Sequence, residues 1–80
     1  MYELKYITKI VIREETNEVY NEPNSVFLKN MEEAEVLKVR IDKLSNLPRS
    51  EWSQIDKSHI EGTSNWNKIV SISFVSINKV

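Results

Sequence analysis

Tyr2 to Glu14 reads YELKYITKIVIRE, and the alternation in this stretch decides the fold. The even positions Tyr2, Leu4, Tyr6, Thr8, Ile10 and Ile12 are mostly apolar, while Glu3, Lys5, Lys9 and Arg13 dominate the odd ones. Successive side chains on a strand point to opposite sides, so the pattern predicts a strand with one buried face. A slip of one residue would bury Lys5, Lys9, Arg13 and Glu3, which fixes the register. The odd face nevertheless holds Ile7 and Val11.

Beyond this strand, Glu14-Glu15-Thr16-Asn17-Glu18 is a polar turn and Val19-Tyr20 resumes an apolar pattern, as in a hairpin. Asn21 to Ser25 contains Pro23, which cannot donate to a ladder. An interruption is therefore expected there, at a sheet edge or a bulge, before the strand resumes at Val26-Phe27-Leu28.

Asn30 followed by Glu33 has the spacing of a helix cap, with Glu32, Glu33 and Glu35 where the helix dipole favours acids. Met31, Ala34, Leu37, Ile41 and Leu44 recur with a 3.6-residue period, which predicts a helix over about 31 to 45. Leu37 to Asp42 also alternates like a strand, but the capped, helix-favouring start decides for one helix. Val36 and Val39 then project away from its apolar face, either as incidental surface residues or as a small contact patch.

Asn46 to Ser53, with Pro48 and Trp52, ends the helix and crosses the domain. In Gln54 to Glu61, Ile55 and Ile60 are out of period-two phase, so a short strand there needs a bulge or a late start. Glu61 to Asn65 has the residue types of a turn. In the final strand, Trp66 to Lys79, Val70, Ile72 and Phe74 share one side, and Val75 and Ile77 fall on the side of Ser71 and Ser73. Apolar residues on both sides suggest a central strand beside the first one, with a bulge near Val75 and Ser76.

The expected architecture is a single α+β domain over residues 1-80, a small two-layer fold. An antiparallel sheet of three to four strands packs on one helix, ββαββ-like. One helix covers one face. The other is expected to show Ile7, Val11, Val75, Ile77 and Ile69 among Lys5, Lys9, Arg13 and serines, more apolar surface than solvent alone calls for.

Composition closes most catalytic classes. With 80 residues, no cysteine and one glycine, the chain has no disulfide, thiolate zinc site or cysteine nucleophile, and neither a dinucleotide fingerprint nor a P-loop can be written around Gly62. The single histidine, His59, lies near Asp56 and Glu61, but nothing in the spacing sets three ligands on one side. No Gly-x-Ser-x-Gly elbow occurs, and the acids and bases balance to a net charge of -1, which selects no catalytic pair. No enzyme, metal or cofactor is expected. The chain also lacks an apolar run of membrane-spanning length and the layout of a signal peptide, so a cytoplasmic protein is expected.

A core this small is only marginally sufficient, which leaves homo-oligomerisation as its natural support. Trp52 and Trp66 either cap the core edge or anchor a partner, since tryptophan is enriched at interface centres. The expectation is a non-enzymatic protein-interaction domain, an accessory or inhibitor protein that occludes a host protein. The abundance of Ile, Asn and Lys, with AT-rich codons, suits a low-GC bacterium or its phage. Two other functions compete with it. A nucleic-acid binder would use the Lys5, Lys9, Arg13 face, though no segment has a clear basic surplus. A nucleotide-sequestering oligomer would build pockets from aromatics and cations of neighbouring subunits.

Overall fold

The computed structural model describes residues 1–53, 60 and 66–80. Strand β1 (Tyr2–Arg13) pairs antiparallel with β2 (Glu18–Leu28) on one side and with β3 (Ile69–Lys79) on the other, giving the order β2-β1-β3. A single helix, α1 (Met31–Ser45), packs on one face, so the fold is a small α+β domain with a three-stranded antiparallel sheet. Short 3-10 turns span Arg49–Glu51 and Trp66–Lys68. The short strand considered over Gln54 to Glu61 lies, except for Ile60, outside the described residues, as do Asp56 and His59.

β1 is the strand on which both ladders are built. Leu4, Tyr6, Thr8 and Ile10 are buried in alternation, as the pattern demands. Thr8 Oγ1, in the middle of that face, accepts a hydrogen bond from Asn24 Nδ2 at 3.1 Å, which satisfies a hydroxyl taken out of water. Ile12 departs from the pattern and is 51% exposed. The β1–β2 register shifts between Val11 and Arg13, and pairing with β3 stops at Ile10. Ile12 is therefore the extra residue of a bulge, beyond the end of β3.

β2 runs unbroken through Pro23, which lies opposite Ile7, so the expected interruption does not occur. The expected position does hold: β2 is an outer strand, where a missing N–H costs no ladder bond. The turn at Glu14 to Asn17 closes with Asn17 at φ 53°, a left-handed conformation that asparagine accepts better than most residues.

The helix matches its sequence signals. Asn30 Oδ1 accepts from Glu33 N at 2.9 Å, which satisfies an orphan donor of the first turn, and Glu33 Oε2 reaches back to accept from Lys29 N, just before the cap, at 3.2 Å. Ala34, Leu37, Ile41 and Leu44 are buried against the sheet. Burying each of the larger three contributes about 1.5–3 kcal/mol. The alternation at Leu37 to Asp42 loses because a strand could not bury Leu37, Ile41 and Leu44 together.

β3 differs most from expectation. It is an outer strand and not the central one. Its register against β1 shifts twice: Tyr6 faces Phe74 while Lys5 faces Ser76, and Ile10 faces Ile69 while Lys9 faces Ser71. Val75 and Val70 are the extra residues. The bulge expected near Val75 and Ser76 is present, and the one at Val70 was not foreseen. Each inserted residue resets the alternation. Ile77 therefore lies opposite Leu4 and packs on the core, and Ile69 is buried opposite Ile10. Both leave the outer face to which the uninterrupted alternation assigns them, while Val70, expected inside, is exposed.

Candidate interaction surface

The uncovered face of the sheet can be read from the two registers. Across β2, β1 and β3 its successive rows are Phe27, Glu3 and Asn78; Ser25, Lys5 and Ser76; Pro23, Ile7 and Ser73; Asn21, Lys9 and Ser71; then Val19 beside Val11. No described element covers it. Phe27 is 57% exposed and Ile7 38%, Val19 is exposed, and Val11 is half-buried.

Charge on this face is concentrated on the central strand. Glu3, Lys5 and Lys9 all belong to β1, while the flanking partners from Asn21 to Phe27 and from Ser71 to Asn78 in these rows are uncharged; Arg13, expected on the same face, pairs with Glu18 beyond the bulge at Ile12 and is out of phase with Val11, so it leaves this face. Lys5 Nζ lies 3.9 Å from Glu3 Oε1, and Arg13 Nε lies 3.9 Å from Glu18 Oε2. Such exposed pairs are worth at most about 1 kcal/mol. Among the described residues Lys9 has no ion-pair partner. It stands between Ile7 and Val11 along the strand, with Asn21 and Ser71 to either side.

The other expected site residues do not join this face. Trp66 is only 4% exposed and is part of the core, so it offers no surface to a partner. Trp52 is half-buried and packs against the same core. The two indole rings lie 5.6 Å apart, and the Arg49 guanidinium sits over both, at 4.8 Å from Trp52 and 5.0 Å from Trp66. Arg49 Nε donates to Ile69 O at 2.7 Å and Nη2 to Trp66 O at 2.8 Å, while Trp52 Nε1 donates to Leu44 O at 3.1 Å. This cluster clamps the segment after the helix to the start of β3. Of the two roles considered for the tryptophans, it performs the core-edge one.

Val36 and Val39 project from α1 as expected, with Val39 65% exposed. They belong to the helix layer, on the opposite side of the molecule from Ile7 and Val11. Val39 also borders a shallow groove between α1 and β3, with Met31, Glu35, Phe74 and Ile77. Lys38 Nζ lies 5.1 Å above the Phe74 ring there and 3.9 Å from Asp42 Oδ2. Val75 is exposed at its bulge. The expected contact residues thus divide between two surfaces and the core.

Phe27 and Val19 were missed, although the signal existed. If β2 is read straight through Pro23, Val19, Pro23 and Phe27 fall on one side and Val26 and Leu28 on the other. The clamp made by Arg49 had no local signal, because its hydrogen-bond partners are 17 and 20 residues away.

Among the described residues no three His, Cys, Asp or Glu side chains are grouped to hold a metal ion, and no helix is long and apolar enough to cross a membrane. Searches of protein-family models, curated proteins and solved structures found no match to this chain.

Proposed function

We propose that this protein is a non-enzymatic, cytoplasmic protein-binding domain that occludes a surface of its partner with the uncovered face of its sheet. The observation that carries the reading is the outer face itself: Ile7, Val19 and Phe27 are exposed on it beside Val11, with α1 on the other side of the sheet. A face of this kind associates by burying aliphatic and aromatic surface, and excluding water from it supplies the driving force. The AT-rich residue usage fits an accessory or inhibitor protein of a low-GC bacterium or its phage.

The test is capture of a partner by the wild-type protein compared with the Ile7→Lys/Val11→Lys double variant. Loss of one specific partner, with unchanged folding of the variant, supports the reading. Retention of every captured protein by the double variant removes it.

A second reading, nucleic-acid binding, is favoured by Lys5 and Lys9 on one face of β1, although Arg13, the third cation of the strand, pairs with Glu18 beyond the bulge. It predicts affinity that falls steeply with salt, because phosphate binding releases counterions. An interface driven by aliphatic burial keeps most of its affinity between low and physiological salt.

A further inference from the structure

The solvent side of α1 carries a pattern that the core does not use. Val36 is 54% exposed and Val39 65%, one turn apart near the middle of the helix. They lie in a shallow groove whose other borders are Glu32 and Glu35 towards the helix start, and Arg40 and Lys43 towards its end. Among the described residues none of these four charges is held in an ion pair within the chain. Acids at the start and bases at the end suit the helix dipole by themselves, but the dipole gives no reason for two exposed valines between them.

This face is complementary to itself. In an isologous contact the same patch serves both copies, so that each residue and its opposite number meet twice. When two copies of α1 pack antiparallel with the twofold axis midway between the valines, Val36 lies level with Val39 of the second copy. Glu32, four positions before Val36, then lies level with Lys43 of the second copy, four positions after Val39. This is the one register in which each valine faces a valine, and moving it by one residue sets Lys38 or Arg40 against Val36. The apolar match and the charged match are therefore reached together. On one flank Arg40 meets Glu33 of the second copy, as charges beside a helix–helix seam do. On the other flank Glu35 approaches Asp42 of the second copy, whose charge Lys38 of its own chain offsets at 3.9 Å.

We propose that α1 is the contact between two copies of this chain, an antiparallel helix pair centred on Val36 and Val39 and aligned by Glu32 and Lys43. A helix of 15 residues is only about 22 Å long, so the contact is small and the dimer weak and concentration-dependent. Because α1 and the uncovered sheet face lie on opposite sides of the domain, pairing through α1 leaves both sheet faces open. The dimer does not depend on what those faces bind.

The experiment is sedimentation equilibrium of the full chain over a rising concentration series at low salt. The wild type is expected to pass from monomer to dimer, and Val36→Ser/Val39→Ser to stay monomeric. Glu32→Lys sets a cation against Lys43 at both ends of the contact, and Lys43→Glu sets an acid against Glu32. Either alone is expected to weaken association about tenfold or more, since two pairs turn from attraction to repulsion. An equimolar mixture of these two variants is expected to associate again, because each supplies the charge that the other has lost. Urea midpoints near that of the wild type show that the variants are folded. A wild type that stays monomeric at millimolar concentration overturns the inference, as does a dimer indifferent to the valine substitutions or a mixture that does not recover. A dimer that Ile7→Lys dissociates places the second copy on the sheet face and overturns it too.

Discussion

The two faces of β1 are made from alternate residues of one 12-residue strand, and they do opposite things. Leu4, Tyr6, Thr8 and Ile10 are buried beneath α1, and the Thr8 hydroxyl is paired with Asn24. Glu3, Lys5, Ile7 and Lys9, each a single residue away, line the face that no described element covers. The first face is constrained by volume and hydrogen bonding, so any change is felt by the whole domain. The second has no described element packed against it, so substitutions there leave the core contacts in place. Two cations make the same contrast: Arg49 is fixed between two indoles and two carbonyls, whereas Lys9 has no ion-pair partner among the described residues.

Substitutions can break this contrast, and the largest effect belongs to the covered side. Ile41→Ala or Leu4→Ala, each at a fully buried position, is expected to cost about 2–5 kcal/mol in urea unfolding, from lost burial plus the cavity left behind. A cost below about 1 kcal/mol would mean that α1 does not pack on this face in solution. Next comes the clamp. Arg49→Leu leaves the carbonyls of Ile69 and Trp66 without their charged donor and is expected to cost about 1.5–3 kcal/mol. Arg49→Lys should recover only part of that loss, because an ammonium lacks the planar fork that reaches both oxygens.

A smaller effect is expected at the helix start. Asn30→Ala removes the acceptor for Glu33 N and should cost about 1 kcal/mol, while Asn30→Asp should be close to neutral by the same measurement. The smallest stability effect belongs to the outer face. Lys9→Glu and Ile7→Lys are expected to change stability by no more than about 0.5 kcal/mol, because neither side chain is buried. These two are also expected to lose partner binding, read by titration against the captured protein. A large fall in stability at Ile7 with binding unchanged would erase the distinction between the faces.

Most of the architecture was legible in the sequence because the signals are local. β1 alternates, Asn30 and Glu33 cap a helix, and Ala34, Leu37, Ile41 and Leu44 recur at helical spacing. The candidate surface was legible by half. Ile7, Val11 and Lys9 could be assigned from parity within one strand, but Phe27 and Val19 were obscured by reading Pro23 as a break. Ile77 was placed on the outer side of the sheet, and for Trp66 the sequence left open a core-edge role and a partner anchor. For Trp66 the deciding contact is with Arg49, and for Ile77 it is the register shift at Val75.

The sequence by itself determined the elements, the helix cap and the side of β1 that is buried, since each depends on residues within a few positions of one another. Tertiary structure decided that β1 and not β3 is the centre of the sheet. It also decided that Val70 and Val75 are bulge residues and that Arg49 joins the tryptophans to β3. The physical reason is that sheet register and side-chain stacking are set between segments far apart in the chain, where closing the loop and filling the core outweigh local alternation. For the same reason Lys9 could be read in the sequence as a cation on a strand, but it is the sheet register that sets the uncharged Asn21 and Ser71 to either side of it.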